Sequence, residues 1–90
     1  MSLAPKLTTL DALAAGRSAT VIHLAPSAAH DRDSGTNMAR RLMELGFVPG
    51  EKIRMLKRGL PGGDPLAVKV GQSTFALRRF EAALITIDPE

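Results

Sequence analysis

From Lys52 onward the apolar residues fall at alternate positions. Lys52 to Arg58 alternates charge with Ile53 and Met55. Pro65 to Val70 sets Leu66, Val68 and Val70 on one side, with Ala67 and Lys69 on the other. Ser73 to Arg78 places Phe75 and Leu77 inward, and Leu84 to Ile87 does the same with Ile85 and Ile87. A period of two over short runs predicts strands with one buried face. Gly71-Gln72 joins two of these runs, and Gly first in a two-residue loop predicts a type II′ hairpin. The turn-rich Gly59 to Asp64 separates the Lys52 and Pro65 runs. Arg17 to Leu24 carries Val21, Ile22 and Leu24 out of strict alternation, which predicts an earlier strand with a bulge.

Helical spacing is confined to short pieces. Met38, Leu42 and Leu45 fall at i, i+4 and i+7, and Thr36 or Asn37 can cap this helix, from about Met38 to Leu45. Gly46 supplies its stop, and Pro49-Gly50 a tight turn. Leu10 to Leu13 reads as a helical turn capped by Thr8 or Thr9 and ended by Gly16, and Arg79 to Ala83 as one more turn. Ala25 to Gly35 is polar and without period, so it reads as a loop. The sum is a mainly β chain: a small SH3-like five-stranded β-barrel with two or three short helices, closure removing exposed edges. An OB-fold barrel is the alternative. Ninety residues make one domain, here 1–90 with a core over about 7–88.

Composition narrows the chemistry. There is no cysteine, which excludes a disulfide scaffold, a thiolate zinc site and a cysteine nucleophile. No run approaches the roughly 20 apolar residues of a membrane span, and Met1 to Leu10 lacks an apolar run of signal-peptide length, which favours the cytoplasm. The only histidines are His23, in a strand, and His30, in a loop. No Ser-His-Asp order is legible. The Gly-rich 59–63 lacks the Gly-Lys-Ser/Thr ending of a phosphate loop, so the chain does not read as an enzyme.

Charge changes the picture more. Residues 40–79 hold nine bases against three acids, a balance of +6 within a net charge of +3. That block fits an acidic partner surface or nucleic acid, or it is a solvated strand face on which bases discourage edge pairing. Nucleic acid is the lesser fit. Phe47, Phe75 and Phe80 are the only aromatics, with little to stack bases, and no second helix presents itself to a major groove. The same lack of Trp and Tyr argues against a proline-helix groove. Leu60-Pro61, in the turn-rich loop, offers an apolar contact or a plug for the barrel end. Phe80 either closes the barrel base or lies outside beside Arg79. His30-Asp31-x-Asp33 groups an imidazole and two carboxylates, a weak loop site suited to Zn²⁺ or Fe²⁺. Its fourth position would go to water, Glu44 or a second molecule. A metal sensor or metal-bridged homo-oligomer is therefore a further alternative. No cofactor is required.

Four spaced groups carry a resemblance along about residues 7–88. They are Leu10-x-x-Leu13-x-x-Gly16; Arg41-Leu42-x-x-Leu45-Gly46-x-x-Pro49-Gly50; Gly63-Asp64-Pro65-Leu66; and Ala76-Leu77-Arg78-x-x-Glu81-Ala82-x-x-Ile85. In order and spacing the chain resembles the ferrous iron transport protein A (FeoA) family. Its 25–36 segment is longer and more polar than that pattern. The resemblance implies a cytosolic SH3-like barrel that serves as accessory or regulator of a ferrous-iron permease with a cytosolic GTP-binding domain. It would meet the membrane only through that partner. The same barrel resembles the C-terminal domain of iron-dependent repressors. For such a contact the candidate residues are Leu60 and Pro61, with Arg40, Arg41, Arg54, Lys57, Arg78 and Arg79 supplying charge.

Overall fold

The structure is a computed structural model that describes residues 7–24, 32–59 and 62–90, with 32–36 described by backbone course alone. Six strands form one antiparallel sheet: β1 (Thr8–Thr9), β2 (Ser18–Leu24), β3 (Lys52–Gly59), β4 (Gly63–Val70), β5 (Ser73–Leu77) and β6 (Ile85–Pro89). Their order across the sheet is β1-β6-β2-β3-β4-β5. Two α-helices, α1 (Arg32–Leu45) and α2 (Arg79–Ala82), and a 3-10 turn at Leu10–Ala12 complete the elements.

The alternating runs become strands as their pattern dictates. Ile53, Met55, Leu66, Val68, Val70, Leu77, Ile85 and Ile87 are all buried, and Lys52, Arg54 and Lys69 point the other way into solvent. Val70 and Ser73 are register partners, so Gly71-Gln72 is the two-residue hairpin loop the sequence predicts. The slip in β2 is a bulge between Val21 and His23, which leaves Ile22 unpaired and exposed. A second bulge, between Met55 and Lys57, was not foreseen.

Three expectations need correction. The strands number six, not five: Thr8–Thr9 pairs with Ile87 and Thr86 instead of serving only as a helix cap. The sheet is open, since among the described residues β5 and β1 form no ladder. β1 is two residues long, and the chain then leaves extended geometry for the 3-10 turn, where Thr9 Oγ1 donates to Asp11 Oδ1. Third, α1 is 14 residues long and starts at Arg32, so Arg32 to Gly35, read as the end of a loop, are helical and the start expected near Met38 moves back. Ser34, Gly35, Thr36 and Asn37 are weak helix formers, and tertiary packing of the later turns outweighs them.

The end of α1 fixes how the helix meets the sheet. Gly46 takes φ +121°. Gly46 N–H donates to Met43 O at 3.0 Å and Phe47 N–H to Leu42 O at 3.1 Å, the paired bonds of a Schellman motif. The turn drives Phe47 into the core, where it is fully buried and its ring lies 5.9 Å from that of Phe75. Leu42 and Ala39 are buried and Met38 packs against the core. Leu45, expected on the same face, is 39% exposed, because the chain reverses immediately after it. The next turn is tied to β2 by Gly50 N–H to Val21 O, 2.8 Å, and Val21 N–H to Glu51 O, 2.9 Å.

The short α2 is held from outside. Asp64 Oδ1 accepts the Arg79 N–H at 2.6 Å and Glu81 Oε1 accepts the Arg78 N–H at 2.7 Å, satisfying donors that a helix start leaves unpaired. Gly59 lies against the same corner; a Cβ there would come within 2.6 Å of the Asp64 carbonyl carbon, so β3 and β4 close only on a residue without a side chain.

Two outcomes follow for stability. Phe47→Ala removes the largest fully buried side chain and should cost about 3–5 kcal/mol in urea unfolding. Asp64→Ala should cost about 1 kcal/mol, the value of a lost cap, with Asp64→Asn losing less because its amide oxygen still accepts the bond. Equal losses for Ala and Asn at 64 would show that the cap contributes nothing.

Candidate partner-contact surfaces

The basic block that looks continuous in sequence is divided in space. Arg40 and Arg41 are exposed on α1, Arg54 and Lys57 are exposed on β3, and Arg78 and Arg79 begin α2. Several bases are committed to holding the fold. Arg79 Nη1 donates to Gly62 O at 3.1 Å, which fastens α2 to the β3–β4 connection. Arg58 Nη1 donates to Leu13 O at 3.0 Å. Arg17 Nη2 donates to Glu90 O at 2.6 Å, and Lys52 Nζ lies 2.7 Å from Glu90 Oε2.

Two surfaces emerge from this division. The first is the α2 corner. The bonds from Asp64, Glu81 and Arg79 hold a helix of only four residues, and from it Phe80 projects with 59% of its surface exposed. Of the two alternatives for Phe80, the outside position beside Arg79 is the one adopted. An exposed aromatic flanked by guanidinium groups has the composition of a protein-contact anchor. Leu60 and Pro61, expected to offer a small apolar contact, lie outside the described residues.

The second surface is the outward side of β3 and β4. Arg54 is the register partner of Lys69 on one side and of Ser18 on the other. A depression of about 320 Å³ is lined there by Ser18, Arg54, Lys69 and Gly71, with Glu51 and Lys52. Lys69 was not among the expected contact residues. Its outward place in the β4 alternation was legible, but its pairing with Arg54 depends on the hairpin register.

The expected metal cluster is not brought together by the described residues. His30 and Asp31 lie outside them, and no group of three or more His, Asp or Glu side chains is gathered among the residues that are described. Asp33 falls in the first turn of α1 and Glu44 in its last, so eleven residues of helical rise, about 16 Å, separate them. Glu44 therefore cannot complete an ion site around Asp33 of the same chain. His23 sits on the surface of β2 with Nε2 3.3 Å from Thr86 Oγ1. No helix among the described residues is long and apolar enough to cross a membrane.

Comparison with known proteins gives this geometry its context. The FeoA domain model matches residues 8–89. FeoA of Stenotrophomonas maltophilia, solved in complex with zinc, is 42% identical with a TM-score of 0.76, over 92% of this chain and 95% of that one. It is described as a procaryotic SH3 domain protein and a proposed activating factor of bacterial ferrous iron transport. FeoA of Chlorobium tepidum is 36% identical with a TM-score of 0.71, over 90% of this chain and 69% of that one. A manganese-dependent transcriptional repressor, 21% identical with a TM-score of 0.77, covers 97% of this chain with 44% of its own length and shares the fold alone. No curated protein matches the chain. A family model that spans nearly every described residue, together with a relative of 42% identity matched over almost the whole of both chains, establishes that the chain belongs to the FeoA family.

Proposed function

We propose that this chain is a non-enzymatic accessory protein of ferrous-iron uptake, acting in the cytosol by contact with the GTP-binding domain of a membrane iron permease. The observation that carries this reading is 42% identity over 92% of the chain to a FeoA protein described as a proposed ferrous iron transport activating factor. The α2 corner supports it: an exposed Phe80, held by bonds that use backbone donors and leave its ring uncovered, is suited to a protein partner. Leu60 and Pro61 belong to the adjoining connection by sequence. Arg78, with Arg40, Arg41, Arg54 and Lys57, supplies positive charge around the contact. Regulation then requires that the chain bind two states of the permease with different affinity, because a ligand shifts an equilibrium only by its differential binding.

The direct test is affinity for the purified GTP-binding domain, with GDP and with a non-hydrolysable GTP analogue, at physiological ionic strength. The expected result is binding that differs between the nucleotides and falls at least about tenfold on Phe80→Asp, as for a central aromatic anchor. Leu60→Asp should have the same direction. Binding that is unchanged by both variants removes this corner from the contact.

A second reading concerns metal, favoured by the zinc complex of the S. maltophilia protein. His30, Asp31 and Asp33 supply the donors that Zn²⁺ or Fe²⁺ accepts, and the separation of Asp33 from Glu44 leaves the fourth position to water or to a second molecule. Micromolar Zn²⁺ should then raise the sedimentation coefficient of the wild type and leave His30→Ala/Asp31→Ala unchanged. An equal response of both proteins would dismiss the cluster.

A further inference from the structure

We infer that the outward face of β3, β4 and β5 is a docking surface for an acidic stretch of polypeptide, its carboxylates held by Arg54, Lys57 and Lys69. The inference starts from register. Arg54 and Lys69 are direct cross-strand partners, between buried Ile53 and Met55 on β3 and buried Val68 and Val70 on β4, so both point outward. Strict alternation would turn Lys57 inward beside Met55. The bulge at Leu56 prevents this. It pairs Lys57 with Ala67, which stands two residues before Lys69 and so on the same face. The extra residue therefore recruits a third base to the surface.

This arrangement is unfavourable for the sheet by itself. Like charges directly opposite one another destabilise a strand pair. Among the described residues the single ion pair is Lys52–Glu90, and none involves Arg54, Lys57 or Lys69. Protection of an edge does not account for these bases, because β3 and β4 are interior strands and the edges are β1 and β5. An uncompensated cationic row on interior strands is what an external anion would neutralise.

The chemistry of the face selects among anions. The cross-strand neighbours of the bases are small, with Ser18 next to Arg54, Thr74 next to Lys69, and Ala67 and Ala76 next to Lys57, and the bulge residue Leu56 adds one exposed aliphatic side chain. No aromatic ring lies among them, since Phe75 of β5 turns inward toward Phe47. Base stacking has no platform here. Glu51 at one end of the depression would repel a continuous phosphate backbone but not a polypeptide that spaces its charges. One carboxylate already sits at the border of the face, that of Glu90 on Lys52 at 2.7 Å. Register and charge make this surface, whichever protein supplies the acidic segment.

The test uses a labelled peptide of alternating glutamate and serine as probe for the full chain at physiological ionic strength. Wild type should bind it with an affinity that falls as salt is raised. Arg54→Gln/Lys69→Gln should weaken binding at least about tenfold, whereas Arg40→Gln/Arg41→Gln should not. Lys69→Glu supplies the second readout: it replaces a repulsive pair by an attractive one, so its melting temperature should rise while probe binding is lost. Failure of the wild type to bind, equal loss in the Arg40/Arg41 variant, or tighter binding to oligodeoxythymidylate or to phosphatidylserine vesicles would overturn the inference. The permease contact is read separately, by Phe80→Asp and Leu60→Asp against the GTP-binding domain, so either reading can fail while the other stands.

Discussion

Phe47 occupies the place where the helix and the sheet must close on each other. A chain of this length has one modest core, and its largest fully buried side chain comes from a connecting turn and not from a strand. It gets there because Gly46 takes positive φ, which redirects the backbone within one residue of the end of α1. The same reversal leaves Leu45 half outside and aims the following turn at Val21 of β2, which it binds through two backbone hydrogen bonds. Helix placement, core closure and the start of β3 are thus one geometric event.

Most residues that carry the family resemblance turn out to build the fold. Leu10, Leu13, Leu42, Leu66, Leu77, Ala82 and Ile85 are buried. Asp64 and Glu81 accept the N–H groups at the start of α2. The likeness to a repressor of low identity is one of fold alone, and a fold does not fix a function. Phe80 and the paired Arg54 and Lys69 stand apart from that pattern, on outward positions.

Strands β3 to β6 were legible because each buries one face and so must alternate. The Gly46 stop and the Gly71 hairpin were legible because each depends on one residue type. β1 was not, since two residues have no period, and its pairing is decided by β6 at the other end of the chain. The first turns of α1 were hidden because Ser34 to Asn37 favour a loop on local grounds. On the candidate surfaces, the sequence supplied the bases but not their grouping. Arg79 and Arg58 were indistinguishable from Arg54 until their guanidinium groups proved to be bonded to Gly62 and Leu13. The bulge that brings Lys57 beside Lys69 left no mark that composition or alternation could reveal.

The place of β6 in the sheet bears on how the molecule comes into being. Thr8 is paired with Ile87, and β6 also supplies the long partner of β2. Neither neighbour can complete its ladder before Ile85–Pro89 has left the ribosome, which at ordinary rates of synthesis follows Thr8 by on the order of ten seconds. The β3–β4–β5 meander ends at Leu77, eight residues before Ile85, so it is completed almost together with β6, while Val21 and Leu10 stay uncovered throughout. The first strands of the nascent chain thus wait, with one side of the core open, for the strand made after all the others.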